Sequence, residues 1–205
     1  KHEWVLLANS LLLLVGFAAH AHQFEESRVP DCMPAALPDN WTGGLVLLTL
    51  VFVLSSFLDN IAAALIGATV ARHVYKGRVR IGYLAAIVAA ANAGGAGSVI
   101  GDTTTTMMWI AGVSPLSVLH AYVAAGFALF VSAIPASLAQ QKYAPIVKDP
   151  PSGLHISFRH VGVVIFVLAS AIAANVGAHL LDAHILDEFP LIGVSVAAAI
   201  LLMAP

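Results

Sequence analysis

Two aspartates, Asp59 and Asp102, lie in parts of the sequence that otherwise carry almost no charge. The chain has 11 acidic residues, and the others lie in polar segments or near a chain end. A carboxylate at the centre of a bilayer costs about 2.5–3.5 kcal/mol to insert, so an acid kept there usually has a function. These two aspartates are therefore the first candidates for chemistry.

Each aspartate is accompanied by further oxygen-bearing side chains. Asp59 lies in "SSFLDN", and Asp102 lies in "NAGGAGSVIGDTTTT". Carboxylate, amide, hydroxyl and carbonyl oxygens are hard ligands, which suit Na⁺ or H⁺ and do not suit copper or zinc. The candidate ion- or substrate-binding residues are Ser55, Ser56, Asp59, Asn60, Asn92, Gly94, Gly95, Ser98, Asp102, Thr103 and Thr104.

The rest of the chain is strongly apolar. It is 60% hydrophobic and 10% charged, whereas a soluble domain has about 25% charged residues. Residues 43–57, 81–101 and 111–141 contain no charged side chain. Runs near 20 residues fit a bilayer core of about 30 Å, and they lack the alternation of barrel strands. We predict an all-α polytopic membrane protein with lipid as a partner, and no basic tract suggests nucleic acid.

The predicted segments form a single, partial transmembrane domain over residues 1–205. Its elements are expected at residues 4–22, 43–75, 81–112, 116–140 and 161–181, with the start of another at 190–205. The loops at 72–80 and 142–159 hold four and three Lys/Arg, which places both in the cytoplasm. Hydropathy leaves open whether residues 43–71 cross once or return as a hairpin. Because the chain begins with Lys and ends within an apolar run, we expect it to be part of a longer protein.

A glycine cluster interrupts the second long apolar segment. Gly94, Gly95, Gly97 and Gly101 fall within eight residues, and each costs a helix about 1 kcal/mol. The sequence predicts a break at 93–102 between two half-helices, with Asp102 as the N-cap of the second. Two structural alternatives stay open. Asp102 could be a cap alone, and residues 59–60 could serve only as a hydrogen bond between helices. Successive helical residues point in different directions, so at most two of the four threonines can face one site.

The two segments "SSFLDNIAAALIG" and "NAGGAGSVIGDTTTTMMWI" together resemble the ion transporter superfamily. The likeness is strongest to its branch of NhaD-type sodium/proton antiporters and citrate-transporter-like permeases, and it covers roughly residues 43–115. It implies that residues 55–60 are the tip of a re-entrant hairpin entering from the cytoplasm, which puts the loop at 24–42 inside. It implies that residues 92–106 are the unwound middle of the next helix, and that the two tips face each other. The sodium site implied by this resemblance consists of Asp59, Asn60, Ser98 and Asp102.

The resemblance also bears on architecture and substrate. No second copy of either motif is present, so the chain resembles one half of an inverted-repeat transporter. Dicarboxylate symporters carry Ser-Asn-Thr at the hairpin tip, where this chain has Leu58-Asp59-Asn60. They and the arsenite permeases carry Pro-Pro-Asn after the loop, where this chain has four threonines. Two carboxylates would repel a multivalent anion and suit an exchange of Na⁺ for H⁺.

We therefore expect a secondary transporter, not an enzyme, that performs Na⁺/H⁺ antiport by alternating access. Na⁺ and H⁺ would be transported ions, and no cofactor is expected. We expect a multi-pass protein of the cell membrane (inner or plasma membrane) that forms a homodimer. One alternative is a Na⁺-coupled permease for citrate, another organic anion or an arsenite-type anion. An alternative of another class is a membrane scaffold that transports nothing.

Overall fold

The computed structural model describes residues 2–147 and 155–180. Within these ranges all regular structure is helical, which confirms the helical class for this part of the chain. The predicted segment at 190–205 lies outside the described residues. The helices are α1 (His2–Glu26), α2 (Val29–Ala36), α3 (Trp41–Ser55), α4 (Asn60–Val74), α5 (Ile81–Gly95), α6 (Thr103–Ile110), α7 (Pro115–Leu119), α8 (Ala121–Tyr143) and α9 (Phe158–Leu180).

The chain divides into two compact units, residues 28–156 and residues 1–27 with 157–205. In the second of these, α1 packs against α9, and the Ser157 N–H donates to the Ser27 carbonyl at 3.0 Å. Helix α1 continues to Glu26, beyond the predicted span at 4–22. Glutamine and glutamate are good helix formers, so the end of the apolar run is not the end of the helix.

Helices α3 and α4 form an antiparallel hairpin in the larger unit. Only residues 56–59 connect them. Gly44, near the start of α3, lies against the hydroxyl of Tyr75, the residue that follows α4. Gly67, in the middle of α4, lies against Val51 of α3. Small residues at such interfaces allow helices to approach closely. The hairpin therefore begins and ends at the same end of the unit.

Helix α4 ends in a turn that carries basic residues. Lys76 (φ 51°) and Gly77 (φ 77°) adopt left-handed backbone conformations, and the Gly77 N–H donates to the Arg72 carbonyl at 2.8 Å. This is the bonding pattern that commonly terminates a helix. Helix α5 then starts beside α3, because the Tyr83 hydroxyl donates to the Gly44 carbonyl at 2.7 Å. The basic loop and the starts of α3 and α5 thus share one end of the unit.

Helix α8 packs along both α3 and α5. At one end, the ring of Tyr122 lies against Gly97. At the other, the fully buried Gln140 accepts from the Arg80 N–H and donates to the Arg78 carbonyl. Among the described residues, Pro115–Tyr143 is the one helical stretch long and apolar enough to cross a membrane, and it includes the predicted span at 116–140.

Candidate functional site

The tip of the hairpin is the turn at residues 56–59. The Leu58 N–H still donates to the Leu54 carbonyl at 2.8 Å, so α3 unwinds over only a few residues. Asp59 then caps α4, because its Oδ1 accepts from the N–H groups of Ile61 (2.8 Å) and Ala62 (3.0 Å). The carboxylate is therefore held at a helix N-terminus, where the backbone dipoles stabilise negative charge.

The break between α5 and α6 covers residues 96–102 and is shorter than the sequence predicts. Asn92, Gly94 and Gly95 were expected in the unwound region, and all three lie in the last turn of α5. The Ala96 N–H still donates to the Asn92 carbonyl at 3.1 Å, so the helix continues through the first two glycines of the cluster. Glycine weakens a helix without forbidding it, and tertiary packing decides where the helix ends.

Asp102 caps α6, as the sequence predicts. Its Oδ1 accepts from the Thr104 N–H at 2.6 Å, and its backbone is extended, as is usual for an N-cap residue. Asp59 and Asp102 thus have the same local role at the starts of two different helices. A cap uses one carboxylate oxygen and leaves the other to face elsewhere.

One amide group brings the two tips together. The Nδ2 group of Asn60 donates to Asn92 Oδ1 at 2.8 Å and to Asp102 Oδ2 at 3.2 Å. The Asn92 amide is itself oriented by donating to the Val88 carbonyl at 2.9 Å. The hairpin tip, the end of α5 and the start of α6 are therefore joined through side chains that the sequence singled out.

Two serines make a second connection between the tips. The Ser56 hydroxyl donates to the Gly94 carbonyl at 3.1 Å, and the Ser98 hydroxyl donates to the Ser56 carbonyl at 2.6 Å. Ser98 therefore faces the hairpin turn. Ser55, in contrast, is fully buried with a hydroxyl that makes no hydrogen bond, and it is not part of this network.

Two glycines allow the break to lie directly against the end of α3. A Cβ atom on Gly94 would lie 2.0 Å from the Phe52 carbonyl oxygen, and one on Gly101 would lie 2.1 Å from the Ser55 carbonyl oxygen. Real Cβ atoms do not approach oxygen so closely, so both positions require glycine. Gly101 was not among the predicted site residues, although it belongs to the glycine cluster.

The four threonines divide into two pairs with different surroundings. Thr103 is half-buried and Thr104 is exposed, and these two are the threonines among the candidate ion- or substrate-binding residues. Thr105 and Thr106 are buried. The Thr105 hydroxyl donates to the carbonyls of Ser98 (2.5 Å) and Asp102 (2.9 Å). The Thr106 hydroxyl donates to the carbonyls of Val99 (2.7 Å) and Asp102 (2.8 Å).

This second pair therefore holds the unwound segment in place. The sequence allows at most two of the four threonines to face one site, and it does not show which two bond to the main chain. Hydroxyls three and four residues after a cap can reach its carbonyl group.

A groove of about 400 Å³ leads away from the Asn60–Asn92 contact between α4 and α5. Its other lining residues are apolar, among them Ile61 and Leu65 on α4 and Leu84 on α5. Within the described residues, no group of three or more His, Cys, Asp and Glu side chains lies together in the way a transition-metal site requires. The oxygens at the tips are instead carboxylates, amides and main-chain carbonyls.

Comparison with known proteins gives one consistent result. No protein-family model and no solved structure match the chain. The chain is 37% identical over 118 residues to the Na⁺/H⁺ antiporter NhaD of Vibrio parahaemolyticus, covering 55% of this chain and 28% of that protein. It is 33% identical over 133 residues to sodium/proton antiporter 2 of Arabidopsis thaliana, covering 62% of this chain and 30% of that protein. The chain is similar to NhaD-type antiporters over more than half of its length.

The resemblance to NhaD-type antiporters that the two motifs indicate is thus confirmed. The NhaD of Alkalimonas amylolytica adds a further match, 33% identical over 123 residues, with 55% of this chain and 25% of the relative covered. The chain spans less than a third of the length of these curated relatives. Proteins with these names are membrane transporters and not enzymes, which agrees with the long apolar helix Pro115–Tyr143.

Proposed function

We propose that the protein exchanges Na⁺ for H⁺ across the cell membrane by alternating access. Asp59 and Asp102 bind Na⁺ when they are deprotonated and release it when they are protonated. The observation that carries the proposal is the bridge from the Asn60 amide to Asp102 and Asn92, at 3.2 and 2.8 Å, which gathers oxygen ligands from two tips. The names of the relatives support the same ion pair.

The chemistry of the tips suits a site where a proton and Na⁺ compete. Because the Asn60 Nδ2 group donates to both neighbours, its Oδ1 faces away from them and can serve as an ion ligand. The cap at Asp102 uses Oδ1, so Oδ2 is the oxygen that meets Asn60 and that a cation or proton would share. We include the Ser98 hydroxyl as a further ligand, since it lies at the same junction.

We propose that α3 and α4 are a re-entrant hairpin that enters from the side of the basic loops. Each helix has 15 residues, a length of about 22 Å, which is shorter than the bilayer core of about 30 Å. The start of α3 and the end of α4 lie beside the loop that carries Arg78 and Arg80. Positively charged loops face the cytoplasm. The tip would then reach the middle of the membrane, where the break at 96–102 meets it.

The test is a flux measurement on the purified full-length protein in proteoliposomes with a trapped pH-sensitive dye. Addition of NaCl outside should raise the internal pH, because inward Na⁺ is exchanged for outward H⁺, and choline chloride at equal concentration should not. Uptake of labelled citrate without Na⁺-driven proton flux would establish the organic-anion permease instead. Absence of both fluxes from folded protein would favour the scaffold. The homodimer stays a prediction.

A further inference from the structure

Two arginines lie around a single tyrosine ring at the end of the larger unit that is opposite the tips. The guanidinium carbons of Arg78 and Arg80 are 5.4 and 5.8 Å from the centroid of the Tyr143 ring. Arg78 Nη2 also donates to the Tyr143 carbonyl at 3.3 Å. All three side chains are exposed. Two like charges near one ring repel each other, and an anion bound near both would offset that repulsion.

A buried side chain holds the main chain at both arginines. The buried Gln140 side chain accepts from the Arg80 N–H at 2.8 Å and donates to the Arg78 carbonyl at 2.9 Å. Gln140 lies one turn before Tyr143 on α8, so the same helix positions both arginines and the ring. Because their backbone is already held, the two arginines lose less conformational entropy when they bind a ligand than two arginines on a mobile loop do.

The length of α8 indicates the depth of the cluster in a membrane. Tyr143 is the last residue of α8, whose 23 residues extend about 35 Å. This is longer than the bilayer core of about 30 Å, so we expect the end of α8 that carries Tyr143 to reach the headgroup region. Tyrosine is enriched at that level. Ile81, directly after Arg80, is 86% exposed and offers an apolar surface next to the two charges.

We propose that Arg78, Arg80 and Tyr143 form a binding site for the phosphate headgroup of an anionic phospholipid, in the leaflet that faces the basic loops. The guanidinium forks supply paired donors for phosphate oxygens, and Ile81 contacts the acyl chains. The proposal does not depend on which ion the protein transports, because the site is at the other end of the unit from Asp59 and Asp102.

The experiment measures the apparent affinity of the purified full-length protein, in a neutral detergent, for phosphatidylglycerol from the rise in Tm. Wild-type protein should be stabilised by phosphatidylglycerol and not by equal concentrations of phosphatidylcholine or inorganic phosphate. The double variant Arg78→Gln/Arg80→Gln should bind about thirtyfold more weakly, since each charge near an anionic surface contributes about fivefold. The matched control is Arg72→Gln, which removes an exposed charge from the last turn of α4 and should change the affinity less than about twofold.

Each other outcome would overturn the proposal. An equal loss of affinity in Arg72→Gln would mean that the overall positive charge of the loops attracts the lipid, and not a specific site. Equal stabilisation by phosphatidylcholine would remove the role of negative charge, and equal stabilisation by inorganic phosphate would assign the site to a soluble anion. Folding of the double variant is checked by circular dichroism. If it is unfolded, the single variants Arg78→Gln and Arg80→Gln decide, each with an expected loss of about fivefold.

Discussion

The side-chain amide of Asn60 donates to Asp102 Oδ2 at 3.2 Å and to Asn92 Oδ1 at 2.8 Å. These partners are 42 and 32 positions away along the chain. A single NH₂ group therefore connects the hairpin tip to both sides of the helix break. An ion held by Asp102 Oδ2 would lie beside Asn60, which is why we propose that the two tips form one site.

Replacement of Asn60 tests this connection. Asn60→Ala removes the bridge and the amide oxygen, and we expect the KM for Na⁺ to rise at least about tenfold, the usual effect of losing a hydrogen bond to a charged group. The measurement is Na⁺-driven proton flux in proteoliposomes. The control is Asn40→Ala, which removes the α3 cap that accepts from Thr42 and should lower Tm without changing KM. Equal KM values in both variants would contradict a role for Asn60 in ion binding.

The glycines at the junction can be tested with alanine. Gly94→Ala and Gly101→Ala each place a Cβ about 2 Å from a carbonyl oxygen of α3, so we expect each to destabilise the protein by about 1–3 kcal/mol and to lower flux. Gly82→Ala is the matched control, because nothing lies within 4 Å of its added Cβ. It should leave Tm unchanged or raise it. If all three variants lost the same amount of Tm, close packing at the tips would not be the cause of the destabilisation.

Substitutions of the threonines distinguish a role in holding the helix break from a role in binding the ion. Thr105→Val removes a buried hydroxyl, and we expect it to lower stability by about 1–3 kcal/mol because the Ser98 carbonyl loses that donor. Thr104→Val changes an exposed hydroxyl and should leave Tm unchanged. If Thr104 contacts the ion as the sequence predicts, this variant raises the KM for Na⁺. Thermal denaturation gives the Tm and flux assays give the KM for Na⁺, both on the same preparations. An unchanged Tm in Thr105→Val would refute the supporting role.

Local chemistry explains which parts of the site could be predicted. A cap depends on a carboxylate and the few N–H groups that follow it, so the role of Asp102 at the start of α6 is readable from the sequence alone. The glycine cluster likewise predicts a break in the helix. Its start could not be located, because α5 continues through Gly94 and Gly95 when packing supports it.

Contacts between distant segments could not be predicted from spacing. Nothing in the residues themselves indicates that Asn60 meets Asn92, or that the Ser98 hydroxyl donates to the Ser56 carbonyl. The expectation that the two tips face each other came from the resemblance to a transporter family. Helical periodicity limits the threonines that can face one site to two, but the pair that bonds to the break, Thr105 and Thr106, is known only from the structure.

The most direct test of the proposed antiport is the initial rate of Na⁺-driven proton flux in wild type, Asp59→Asn and Asp102→Asn. Asparagine caps a helix about as well as aspartate, so both variants should fold with a Tm close to that of wild type. Asparagine cannot exchange a proton, so each variant should lose Na⁺-driven proton flux. Flux at the wild-type rate in both folded variants would show that the two aspartates are caps alone and would contradict the proposed mechanism.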